Sequence, residues 1–124
     1  MKKKILSLCL ALTLIVAMAI PASAFNVSMA RSWNGFYYST SDTCNLRSFG
    51  CSIESDSSEY TVKTDVATYV RNSNGDNVYK RTYYTNPSTM FQYNGQSVDY
   101  EISYIYCSHV IRTTTASNQQ VWAS

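Results

Sequence analysis

The sequence predicts an all-β protein, a small antiparallel two-sheet β-sandwich of about seven strands with hairpins at Asn74-Gly75 and Asn94-Gly95. Three observations carry this prediction. Strand-forming residues recur with a period of two, and no stretch has helical periodicity. Turn signals fall at intervals of about 8–12 residues, the spacing of sandwich strands. Two of the Asn-Gly pairs stand between such runs and offer the positive φ angles of tight hairpin turns.

The first segment, MKKKILSLCLALTLIVAMAIPASA, is set apart from the fold. Lys2, Lys3 and Lys4 precede an apolar run from Ile5 to Ile20, Pro21 stops it, and Ala22-Ser23-Ala24 fits the small-x-small site of signal peptidase. The run is shorter than the ~20 residues a membrane-spanning helix needs. Residues 1–24 are therefore expected to be a removed secretory signal, with cleavage between Ala24 and Phe25. The product is then secreted and extracellular, with no stable membrane anchor. The short basic end and compact apolar core resemble signals of Gram-positive bacteria. Removal takes Cys9 and three of the ten basic residues, leaving seven bases against eight acids. The whole-chain pI of about 8.3 thus says nothing about partners, and the basic stripe of a nucleic-acid binder is absent.

Residues 25–124 make one domain, near the small end of what buries an adequate core unaided. Trp33-Asn34-Gly35-Phe36-Tyr37-Tyr38 and the stretch Phe49–Ile53 supply two strands. Glu54 to Glu59 is a polar loop without the regular ligand spacing of a calcium site. In YTVKTDVATYV, Tyr60, Val62, Val66 and Val70 share one face, with Lys63, Asp65 and Tyr69 on the other. A two-residue turn at Asn74-Gly75 sets Val70 opposite Tyr79 and Val66 opposite Tyr83. The same register at Asn94-Gly95 sets Phe91 opposite Val98. The run from Ser97 alternates until the pattern shifts near Ile105, as at a bulge or a crossing between sheets. Gln120-Val121-Trp122 supplies the last strand.

Catalysis finds little support in these residues. Cys107 and the only histidine, His109, share a strand face, but no third group orients the ring and no oxyanion donors are evident. One His and three scattered Cys do not make a zinc site. The pairs Asp99/Glu101 and Glu54/Asp56 read as solvated faces rather than a glycosidase acid and base. No catalytic residue, metal or cofactor is assigned. After export Cys44, Cys51 and Cys107 allow one bridge. Cys44–Cys51 closes a short turn-like loop, worth about 2.5 kcal/mol, and is expected from nearness in sequence, leaving Cys107 a buried core thiol. Cys51–Cys107 is the competing pairing; it would close about 56 residues and contribute roughly 4 kcal/mol.

What remains is tyrosine, of which the chain has 11. Tyr69, Tyr79 and Tyr83 are expected on an outer sheet face as rigid contact surfaces. The functional expectation is a non-catalytic binding protein for envelope glycan, another protein or a second copy of itself. The alternative is a secreted antimicrobial or toxin-like protein of bacteriocin type acting on a membrane, which near-neutral charge disfavours.

Overall fold

A computed structural model describes residues 25–123; the expected signal and its cleavage site lie outside the described residues apart from Phe25. Nine strands are formed: β1 (Phe25–Trp33), β2 (Phe36–Cys44), β3 (Ser48–Ser55), β4 (Thr61–Arg71), β5 (Asn77–Tyr83), the two-residue β6 (Ser88–Thr89), β7 (Phe91–Ser97), β8 (Tyr104–Ile111) and β9 (Thr114–Trp122). They build two antiparallel sheets, β1-β2-β3-β7 and β5-β4-β8-β9, with β6 paired to β4. The all-β sandwich is as predicted, with two more strands than the sequence suggested.

Turn chemistry explains where the predicted hairpins differ. At Asn74-Gly75 the loop is longer than two residues: the Asn72 N–H donates to the Asp76 carbonyl at 2.8 Å and the Gly75 N–H to the Asn72 carbonyl at 3.0 Å. Gly75 takes the left-handed conformation at φ 86° that closes this three-residue loop. The register therefore begins one residue off, with Val70 opposite Val78, and a bulge at Thr68/Tyr69 restores Val66 opposite Tyr83. The Asn94-Gly95 hairpin is not formed, because both residues lie inside β7. Asn94 is buried there, its Nδ2 donating to the Thr64 carbonyl at 2.9 Å and the Tyr83 carbonyl at 3.0 Å, so it ties one sheet to the other. Gly95 is glycine because the Tyr93 ring lies across it and across Gly50, where any Cβ would collide with the phenol. The two-residue Asn-Gly turn is instead Asn34-Gly35, at φ 47° and 79°, joining Trp33 to Phe36 across the β1–β2 hairpin.

The pattern shift in the run from Ser97 is a crossing between sheets. Residues 98–103 leave β7 and stay tied to the β2–β3 loop through Val98 N–H to the Arg47 carbonyl and Ile102 N–H to the Leu46 carbonyl. They then enter β8 in the other sheet.

Alternation on β2, β3, β4 and β8 fills the interior with two apolar clusters. Cys44, Phe49, Cys51, Val66, Ile102, Ile105, Cys107 and Val121 form the larger one. Phe36, Tyr38, Ile53, Val62 and Ile111 form the other. Cys51 and Cys107 are joined across the sheets, and among the described residues Cys44 is the free, buried thiol. This corrects the expected Cys44–Cys51 bridge. Cys44 lies opposite Phe49 and Cys51 opposite Asp42, so neighbouring strands hold the first two cysteines in diagonal register, while β8 brings Cys107 from the facing sheet.

Burial pushes the Cys44 thiol up from an ordinary value of 9.0 to about 12. The unfolded chain therefore loses this proton first, and stability present below pH 9 is lost as pH rises toward 12. The expected slope reaches about −1.4 kcal/mol per pH unit in that window and is smaller in Cys44→Ala. Denaturant titrations of both chains at stepped pH measure it; parallel curves would remove the assignment.

Candidate functional site

The outer face of the larger sheet carries an aromatic row built by strand register. Tyr79 on β5 is opposite Tyr69 on β4, Tyr69 is opposite Tyr104 on β8, and Tyr104 is opposite Trp122 on β9. Tyr69, Tyr104 and Trp122 point outward because their strand neighbours Thr68, Ile105 and Val121 are buried, and Tyr79 shares that face as the residue opposite Tyr69. The bulge, with Lys80 as the extra residue on β5, is what brings Tyr79 into line, since without it Lys80 would stand opposite Tyr69. The row crosses three strand spacings, about 14 Å.

Ring geometry gives the row its chemistry. Tyr69 and Tyr104 stack at 4.4 Å with planes 12° apart, so they stand on edge and use a face on each other. Tyr79 meets Tyr69 edge to face at 5.8 Å, and Trp122 is tilted against Tyr104 at 4.8 Å. The ends remain open, Tyr79 at 57% and Trp122 at 47% exposure. The next row across the same strands is Thr82, Ala67, Tyr106 and Gln120. Neither row carries a formal charge. The surface thus offers apolar edges, two accessible ring faces, and a border of hydroxyl and amide groups. Partial burial and the neighbouring Tyr69 and Tyr106 phenols hold the Tyr104 hydroxyl above its usual range. A shallow depression of about 330 Å³ adjoins the row's end, lined by Arg71, Glu101, Ser103 and Trp122 among others.

Of the tyrosines read from sequence, Tyr69 and Tyr79 are brought together, and Tyr83 is not among them. Opposite the buried Val66, Tyr83 faces inward, packs on Phe49 at 5.2 Å and shares a 2.9 Å hydrogen bond with the Tyr100 hydroxyl. Tyr104 and Trp122 are the members that sequence reading missed. Alternation of Tyr104 with Ile105, and of Val121 with Trp122, was the available signal.

His109 has partners other than the neighbouring cysteine. Its Nε2 lies 2.9 Å from Asp42 Oδ2 on β2 and its Nδ1 3.3 Å from Thr64 Oγ1 on β4. All three side chains are fully buried and sit between the two apolar clusters. Asp42 Oδ1 has no hydrogen-bond partner. Asp42, Cys51 and Cys107 also converge within 4.8 Å, but the disulfide commits both sulfurs and leaves one carboxylate, too few donors for a cation.

No protein-family model, curated protein or solved structure matches this chain.

Proposed function

We propose that this is a secreted, non-catalytic binding module that holds a neutral envelope glycan on the aromatic row. The observation that supports it is the unbroken register of Tyr79, Tyr69, Tyr104 and Trp122 across four strands. Cross-strand aromatic pairs stabilise a sheet, yet that role does not require end members as open as Tyr79 and Trp122. Sugars present apolar C–H faces ringed by hydroxyls, and rings bordered on one side by Thr82 and Gln120 complement both parts. The absence of charge in the two rows favours a neutral ligand over an anionic lipid surface.

Incubating the purified residues 25–124 with bacterial cell walls, isolated neutral wall polysaccharide, liposomes and live indicator cells separates the possibilities. Binding to walls and polysaccharide is expected, without dye release or killing. Trp122→Ala and Tyr79→Ala should each weaken binding by about tenfold, or 1.4 kcal/mol, while leaving the fold intact. Dye release or killing without wall binding would replace this reading with the membrane-active one.

A further inference from the structure

The buried Asp42–His109–Thr64 set has the connectivity of an acyl-transfer triad: a hydroxyl on one imidazole nitrogen and a carboxylate on the other. With Nε2–H donating to Asp42, Nδ1 is left to accept the Thr64 hydroxyl proton. The three side chains are sealed from solvent, so no external substrate reaches them. Only a carbonyl belonging to the protein can. One lies beside the set: the Thr64 backbone N–H donates to the side-chain carbonyl oxygen of Gln92 on β7, at 3.3 Å. The nucleophile's own N–H is one of the oxyanion donors in serine-type acyl transfer. The Gln92 amide nitrogen points the other way, donating to the Tyr93 carbonyl at 3.1 Å at the exposed edge.

From this arrangement we propose that Thr64 and Gln92 form an intramolecular ester that cross-links the two sheets in a single self-catalysed step. Thr64 Oγ1 attacks Gln92 Cδ while its proton passes to His109 Nδ1. The resulting oxyanion at Oε1 is held by the Thr64 N–H. Once the Gln92 amide has turned so that Nε2 leaves the Tyr93 carbonyl and faces His109 Nδ1, collapse breaks the Cδ–Nε2 bond, His109 returns the proton to Nε2, and ammonia leaves by the Gln92 edge. Carboxamide and alcohol become ester and ammonia, with no oxidant, reductant or second reactant. Gln92 must rotate its flexible side chain onto the hydroxyl, and the fold supplies the proximity that gives intramolecular reactions effective molarities of about 10⁵–10⁸ M. Asp42 acts as a positioning residue. Its place in the core, with one oxygen unpartnered, is the kind of cost that calls for an explanation.

Mass spectrometry of the denatured, unreduced residues 25–124 tests this. The expected mass is that of the sequence less two hydrogens for the disulfide and one ammonia. After reduction of the Cys51–Cys107 disulfide, trypsin should yield residues 64–71 joined to residues 82–112, separable by hydroxylamine. Gln92→Ala, at a partly exposed position, should restore the full mass in a folded chain, and Thr64→Ser should keep the link. Asp42→Asn should slow linking by about a hundredfold or more in protein whose near-ultraviolet circular dichroism remains native. A full mass for the aged, folded wild type overturns the proposal. So does ammonia loss confined to single peptides containing Asn34-Gly35, Asn74-Gly75 or Asn94-Gly95, which would be succinimide formation.

Discussion

Cys107→Ser is expected to lower unfolding free energy by about 4 kcal/mol, because the Cys51–Cys107 bridge spans a sequence separation of 56 residues. Cross-linking removes loop entropy from the unfolded chain, and this term grows with the logarithm of loop length. For a domain of about 100 residues the loss corresponds to a fall in Tm of roughly 15–30 °C. It is a large part of the ~5–15 kcal/mol that such domains possess. Cys44→Ala, which removes a buried thiol but no cross-link, should cost only about 1 kcal/mol. Urea denaturation of the three chains gives the ranking. A larger loss in Cys44→Ala than in Cys107→Ser would reinstate the Cys44–Cys51 pairing.

His109→Leu should cost about 3–5 kcal/mol, more than its volume change implies. Asp42 Oδ1 has no partner and Oδ2 has only His109, so the substitution leaves a fully buried carboxyl group with no hydrogen bond. The double variant Asp42→Leu/His109→Leu should recover most of this loss, since apolar side chains of similar volume can replace a buried polar pair. The comparison is made with Gln92→Ala in every chain so that no ester contributes. Additive losses in the double variant would show that the two side chains do not act as a unit.

The physical origin of each feature decides how far it was visible in the sequence. Val62, Val66, Tyr69 and the polar residues between them alternate strongly enough to declare a two-faced strand, and β4 has those faces. Tyr83 was already set opposite Val66 by the predicted register, so its inward orientation followed from the same alternation. Trp33-Asn34-Gly35-Phe36 held the tight turn, but its aromatic flanks read equally well as one continuous strand. Asn94-Gly95 had the same dipeptide and the opposite outcome, because a buried amide and an overlying tyrosine used Asn and Gly for packing. On β2, Asp42 falls in step with Phe36, Tyr38, Thr40 and Cys44. An acid in step with buried side chains was the one local sign that the core contained a polar partner for His109.

By itself the sequence determined the all-β class, the two-faced strands and the tyrosine-rich character. These follow from local rules: backbone sterics, side-chain alternation and turn conformation act over a few residues. Only the tertiary structure decided that Cys51 meets Cys107, that Tyr79, Tyr69, Tyr104 and Trp122 fall into one row, and that Asp42, Thr64 and His109 share one sealed space. Each joins residues far apart in the chain through strand order and a single-residue bulge. A shift of one residue turns every side chain to the opposite face, so such meetings depend on which strands pair and in what register, which no local stretch of the chain specifies.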